Sequence, residues 1–313
     1  MRAATIDRYG PAEVVSIATL PAPPPGEGQV LVRVRAASLN PLDSALRSGA
    51  LRRVMPLRFP AVLGFDLAGE VEATGPGVTS FRVGERVYGR IDARTGGTHA
   101  ELAVVAANVL DRIPDRLTFE QAAALPLTAM TAVQAFGLIG LDAGDRLLVN
   151  GAAGGVGVYA VQIGRAMGAS VTGVCSGASA SLVQRLGAVR VIDYTRGELA
   201  TERQQFDVVF DVVAKLSTRD ARRLLAKRGR YVTTGISPAV AVRSILGRFL
   251  PGRRWTFVMS RADGELMRQV SRLVSDGALD PVIDSTFPLE RIQDAYARLE
   301  TGHAHGKVVV QVP

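Results

Sequence analysis

Asp145-Arg-Leu-Leu-Val-Asn-Gly-Ala-Ala-Gly-Gly-Val-Gly157 is the stretch whose reading decides the fold. Its apolar run Leu147-Leu-Val149 has the length of a buried strand and is too short for a helix. A glycine-rich turn follows, then a helix of small residues over Val158–Met167. Strand, tight turn and helix start together form a cradle for a dinucleotide pyrophosphate. Ala152 takes the first small-residue position and keeps the turn tight. Gly154, with Gly155 and Val156 beside it, lets backbone N–H groups approach the phosphates, and Gly157 lets the helix lie close on the strand. The unpaired N–H groups and the positive end of the helix dipole favour the anion.

A chain of 313 residues suggests two domains. No apolar run is long enough to span a bilayer. Met1–Asp7 lacks a signal-peptide pattern, so a cytoplasmic protein is expected. Cys175 is the single cysteine, which excludes an intrachain disulfide and a multi-thiolate zinc site. The net charge of +8 comes mostly from scattered arginines without interleaved aromatics, which argues for a basic surface rather than a nucleic-acid platform.

Outward from the turn, apolar strands alternate with helices. Strands are expected at Arg146–Asn150, Ser170–Cys175, Arg190–Ile192, Asp207–Val212, Arg230–Thr234 and Trp255–Met259. This predicts an α/β Rossmann unit with a doubly wound parallel sheet. Thr118-Phe-Glu-Gln121 has capping-box spacing and marks where the texture changes. Before it, short strands between Pro/Gly-rich turns predict a partly open β-barrel with one short helix, Pro41–Arg47. The final helix Leu289–Glu300 and strand Lys307–Val312 return to that barrel, making it discontinuous. The expected domains are therefore 1–118 with 265–313, and 119–264.

Several segments together resemble the medium-chain dehydrogenase/reductase superfamily, in its zinc-free quinone oxidoreductase branch. They are Ser38–Asp43, Leu63–Val71, Val83–Gly89, Ala124–Ala132, Gly151–Gly157, Leu186–Tyr194 and Gly306–Val310, in order along the chain. The resemblance implies a GroES-like barrel domain beside the Rossmann domain, with the active site in the cleft between them. Zinc-dependent members carry a Gly-His-Glu motif; here the triplet is Gly64-Phe65-Asp66, and Asn40 stands near the place of the first cysteine ligand. No catalytic metal is expected.

An NAD site commonly has an acid about twenty positions after the turn, bound to the ribose 2′-hydroxyl. The loop Ser176-Gly-Ala-Ser-Ala-Ser181 has none. Small hydroxylated residues leave room for a 2′-phosphate, so the expected cofactor is NADPH. The resemblance implies that Ser176 and Tyr194 bind that phosphate. Relatives often add a lysine or arginine where this chain has Gly177 and Ala178, a role left to Arg196 or Arg185. It also implies cofactor contacts from Gly235, Lys307 and Thr128, the last at the nicotinamide ribose. Asn40 is implied at the nicotinamide, with Asp43 supporting its loop. Without a Lewis acid, hydride delivery to a quinone or an α,β-unsaturated carbonyl is the accessible chemistry, with water supplying the proton. The alternatives are an enoyl-thioester reductase, with Arg248, Arg253 and Arg254 receiving a phosphate, or a low-turnover NADPH-binding scaffold or RNA-binding protein. A homodimer joined through Trp255–Met259 is expected from the same resemblance.

Overall fold

The computed structural model describes residues 1–92, 97–235, 240, 242, 244 and 252–313. The described chain divides into two compact units. One comprises Met1–Leu127, Arg261–Ser275 and Pro281–Pro313; the other comprises Thr128–Ser260 and Asp276–Asp280.

The first segment runs β1 (Arg2–Ile6), β2 (Val15–Thr19), β3 (Gln29–Ser38), α1 (Pro41–Arg47), β4 (Ala61–Val62) and β5 (Asp66–Thr74). It continues through β6 (Arg86–Arg90), β7 (Leu102–Ala106), β8 (Leu110–Arg112) and α2 (Phe119–Ala123). Proline in the first turn of α1 needs no hydrogen-bond acceptor there. The Thr118 capping box forms in both directions, at 3.2 Å from Gln121 N to Thr118 Oγ1 and 3.0 Å from Thr118 N to Gln121 Oε1.

The middle segment holds α3 (Pro126–Ile139), β9 (Arg146–Asn150), α4 (Gly157–Ala166), β10 (Ser170–Cys175), α5 (Ala180–Arg185) and β11 (Arg190–Asp193). Then come α6 (Glu198–Thr201), β12 (Phe206–Asp211), α7 (Thr218–Leu224), β13 (Leu225–Thr233) and β14 (Arg254–Phe257). These strands form one parallel sheet in the order β11-β10-β9-β12-β13-β14. Counted from β9, this is the doubly wound order of a dinucleotide-binding sheet, with its switch point between β9 and β12. The core of this unit is built on Leu148, Val174, Ile192, Phe206, Val209 and Trp255. Gly164 lets α4 approach the sheet, because a Cβ there would lie 2.6 Å from Leu147 Cδ2.

The chain ends with α8 (Gly264–Ser275), β15 (Ile283–Pro288), α9 (Ile292–Glu300) and β16 (Lys307–Gln311). β16 pairs with β3, setting Val309 opposite Ser38, and completes the sheet β15-β16-β3-β5-β6-β8. Its core holds Val32, Val34, Phe65, Leu67, Val308 and Val310.

Several boundaries differ from the sequence reading: the strands expected at Asp207–Val212 and Trp255–Met259 run Phe206–Asp211 and Arg254–Phe257, and Asp276–Asp280 fall in the unit of the parallel sheet rather than with the barrel. β13 starts at Leu225 rather than Arg230, because the polar run through Gly229 is absorbed as an irregularity against β12. The unit boundary lies at Leu127 rather than Thr118. There α2 buries Ala122 and Ala123, and Gln311 Nε2 of β16 donates to Glu120 Oε1 at 2.8 Å.

Candidate functional site

Gly151 leaves β9 with φ +87°, in the left-handed region that favours glycine. The N–H groups of Gly151 and Ala152 both donate to the Val174 carbonyl, at 3.1 and 2.9 Å, which anchors the turn to β10. Helical bonding opens with Val158 N on Gly154 O at 3.0 Å. The N–H groups of Gly155, Val156 and Gly157 therefore stand at a helix start, where the helix offers them no acceptor. Ala152 is fully buried against Gly173, where an added Cβ would lie 2.9 Å from that of Ala152. At Gly157 a Cβ would meet Gly151 O at 2.0 Å and Ala152 Cα at 2.8 Å. At Gly154 the nearest atom would be Gly151 O at 3.5 Å, so the protein itself leaves that side open.

The other candidates in this unit follow the carboxyl ends of parallel strands, where open α/β sheets bind ligands. Ser176 follows β10, its Oγ 3.1 Å from Ser179 Oγ. Tyr194 follows β11 and is 48% exposed. Gly235 follows β13; its N–H donates to Thr233 Oγ1 at 3.2 Å, and a Cβ there would lie 2.4 Å from Ala214 Cβ. Thr128 is buried on α3. Arg196 shares the short turn of Tyr194, whereas Arg185 lines a cavity of about 160 Å³ with Gln162 and Arg165. Arg253 donates to the Leu225 carbonyl at 3.0 Å, Arg254 opens β14, and Arg248 lies outside the described residues.

Two features here escaped the sequence reading. Asn150 Nδ2 donates to Asp211 Oδ1 at 2.7 Å, and Tyr231 Oη and Leu216 N donate to Asp211 Oδ2 at 3.0 and 2.9 Å. This buried network ties β9, β12 and β13 together at the switch point. The polar residues closing two apolar strands, Asn150 and Asp211, were its only signal. The second is an acid beside the Ser176 loop: Asp193, delivered by β11, whose Oδ2 would lie 2.5 Å from a Cβ on Gly177.

In the barrel unit, Asn40, Asp43, Asp66 and Lys307 come together. Asp66 is fully buried, and its Oδ2 accepts from Ser38 Oγ at 3.0 Å and Asn40 Nδ2 at 2.9 Å. Its Oδ1 accepts from Leu127 N at 2.9 Å. Lys307, only 2% exposed, donates to Leu39 O at 3.0 Å and Asn40 Oδ1 at 2.6 Å, with Asp66 Oδ2 at 3.4 Å. The three ammonium donors thus have protein acceptors, and burial holds the Lys307 pKa below its ordinary value. Asp43 accepts from Asn40 N at 2.7 Å and Gly64 N at 3.0 Å, closing the start of α1 against the segment that leads into β5. Burial pushes the Asp43 carboxyl up to about 7 despite those two donors, with Asp66 adding to the rise. Asn40 keeps one side-chain donor, its second Nδ2 hydrogen.

His99 packs edge-on to Tyr296, with ring centroids 6.1 Å apart. Neither ring nitrogen has a hydrogen-bond partner of good geometry among the described residues. Burial pushes its pKa down to about 4, and the nearby Ser38 carbonyl offsets only part of that. The unfolded chain takes up this proton near pH 6.5 and the folded chain does not. His99 therefore contributes stability that is present above pH 6.5 and lost as pH falls toward 4. Asp43 acts oppositely, its stability falling as pH rises from about 4 to 7. His99→Phe is expected to gain about 2 kcal/mol relative to wild type between pH 7.5 and 5. Urea unfolding at both pH values checks this; a pH-independent difference would contradict a buried neutral imidazole.

A doubly wound sheet with a glycine-rich turn at its switch point, in a chain that also folds a barrel unit, has the architecture of a nucleotide-dependent oxidoreductase. Comparison with known proteins agrees. The model "Alcohol dehydrogenase GroES-like domain" matches residues 26–115, and "Zinc-binding dehydrogenase" matches residues 186–310. The chain is 34% identical to NAD(P)H oxidoreductase RTN4IP1, mitochondrial, of Bos taurus, across 100% of this chain and 89% of that protein. It is 33% identical to the NADPH-dependent alkenal/one oxidoreductase, chloroplastic, of Arabidopsis thaliana, covering 99% of this chain and 79% of that one. The solved quinone oxidoreductase of Coxiella burnetii matches with a TM-score of 0.92 at 29% identity, covering 100% and 99% of the two chains. The chain belongs to the medium-chain dehydrogenase/reductase superfamily, among its quinone oxidoreductase-like members.

Proposed function

We propose that the chain is a zinc-independent, NADPH-dependent reductase of quinones and α,β-unsaturated carbonyls. The observation that carries this is the filled Asp66 carboxylate. Asp66 and Asn40 stand where zinc-dependent members place metal-site residues, yet Asp66 is occupied by Ser38, Asn40, Leu127 and the Lys307 ammonium. Phe65, at the histidine position, is in the hydrophobic core. A cation beside Asp66 and a phenyl ring for an imidazole do not fit a zinc ligand set, whatever the matching model is called. Among the described residues no group of three or more His, Cys, Asp or Glu side chains is arranged to hold a metal.

The glycine turn does fit a dinucleotide. When bound, the nicotinamide supplies hydride, and a conjugated acceptor spreads the resulting charge without a Lewis acid. The chain's own part is binding and placement. The N–H groups of Gly155, Val156 and Gly157 take the pyrophosphate, with Ala152 and Gly154 leaving it room. Ser176, Tyr194 and Arg196 flank the adenosine end, and Thr128 and Gly235 the nicotinamide end. Asp43, Asp66 and Lys307 hold Asn40, whose remaining Nδ2 hydrogen steadies the developing oxyanion. Water supplies the completing proton. The assignment of Lys307 thus changes from cofactor contact to support of Asn40.

Monitoring NADPH oxidation with a quinone, an enone and an enoyl thioester tests the reading. Turnover confined to the thioester, or zinc-dependent alcohol oxidation, would overturn it. Among the described residues β14 is an edge strand of the parallel sheet, which supports a homodimer through it; gel filtration checks that. No described helix is long and apolar enough to cross a membrane. A cytoplasmic location remains part of the proposal, and cell fractionation checks it.

A further inference from the structure

We propose that Asp193 sets the discrimination between NADPH and NADH, by holding a carboxylate beside the 2′ position of the adenosine ribose; this rests on the dinucleotide reading above. In a doubly wound sheet the ribose lies at the carboxyl end of the second strand, here β10. Asp193 is the register partner of Cys175, the last residue of β10, so it stands level with that end, one strand outward. Its Oδ1 is taken by Thr195 N at 2.9 Å and Thr195 Oγ1 at 2.6 Å. Its Oδ2 faces the loop so closely that a Cβ on Gly177 would lie 2.5 Å away, and the carboxylate also accepts from the Gly177 N–H, which leaves it lone pairs for one further donor. The bonds from Thr195, with that from the Gly177 N–H, hold the carboxyl below its ordinary range, so it is charged at neutral pH. Asp193 N donates to Glu198 Oε2 at 2.8 Å, adding a second carboxylate to the neighbourhood. The nearby cation is Arg196, whose charge also stabilises the ionised Asp193.

A carboxylate here accepts from a ribose 2′-hydroxyl and repels a 2′-phosphate, while Arg196 attracts the phosphate. The hydroxyls of Ser176 and Ser179 are neutral and favour neither charge state. The carboxylate therefore limits the preference for NADPH that Arg196 gives the wild type. Removing the Asp193 carboxylate, with Glu198 still in place, weakens the opposition to Arg196 and turns the site toward NADPH.

The test is titration of wild type, Asp193→Asn and Asp193→Ser with NADPH and with NADH, following nicotinamide fluorescence. Both replacements keep an oxygen able to accept from Thr195, and thermal midpoints within a few degrees of wild type confirm that the turn is kept. The expected result is an NADPH Kd about tenfold lower in both variants, with NADH binding equal or weaker. The gain should shrink as salt rises from about 0.05 to 0.5 M. An NADPH-to-NADH affinity ratio unchanged within twofold overturns the proposal while leaving the dinucleotide site intact. Failure of wild type to bind either coenzyme overturns both.

Discussion

Lys307→Met is expected to destabilise the chain by about 3–5 kcal/mol. Lys307 and Asp66 are 2% and 0% exposed at the side chain, 3.4 Å apart. Methionine fills the space of the lysine stem but leaves the Leu39 carbonyl and Asn40 Oδ1 without the ammonium that both accept from. It also leaves Asp66 charged and buried, with Ser38, Asn40 and Leu127 as its remaining donors. Asp66→Asn in the same background removes the stranded charge, so the double variant should be less destabilised than the sum of the singles. Urea unfolding of the four proteins measures this coupling. If Lys307 served the cofactor instead, unfolding would barely move and the NADPH Kd alone would rise. That separates the support role from the cofactor contact implied by family resemblance.

Lys307 also shows where sequence reading stops. A lysine opening a strand after glycine reads as a surface residue, and only its neighbours make it otherwise. Those neighbours, Leu39, Asn40 and Asp66, lie more than 240 positions earlier. The Rossmann strands were legible because their signal is local. Runs such as Leu147–Val149 and Val208–Phe210 are apolar throughout, as strands covered on both faces must be. The glycine turn was legible for the same reason, its constraints lying within a few residues. Asp193 was not: it stands 36 positions after Gly157 in sequence, and strand pairing, not spacing, brings it beside Gly177. Asp211 likewise draws its donors from Asn150, 61 positions away, and Tyr231, 20 positions away. His99 carried no pattern at all; its neutral state follows from burial that only the packed barrel supplies.

Gly157→Ala is expected to abolish measurable NADPH binding, raising Kd at least 100-fold, and to lower thermal stability. Its Cβ would lie 2.0 Å from Gly151 O, and that oxygen belongs to the backbone of the turn. Backbone cannot swing aside as a side chain can, so the turn or α4 must move, at about 1–3 kcal/mol. Either shift misaligns the N–H groups of Gly155, Val156 and Gly157. Gly154→Ala separates the two consequences. Its Cβ would meet only Gly151 O, at an ordinary 3.5 Å, so the fold should be unaffected. A methyl there projects from the turn into the space assigned to the pyrophosphate, and NADPH affinity should fall about tenfold or more as the ligand is held off its donors. Calorimetry for stability and fluorescence titration for binding distinguish the cases. Gly154→Ala with native stability and native NADPH affinity would place the phosphates elsewhere. Gly157→Ala with native affinity would mean that close contact of α4 with the turn is not what aligns the N–H groups. The paired outcome, one variant losing both properties and the other losing binding alone, follows only if the turn is both a structural joint and the phosphate cradle.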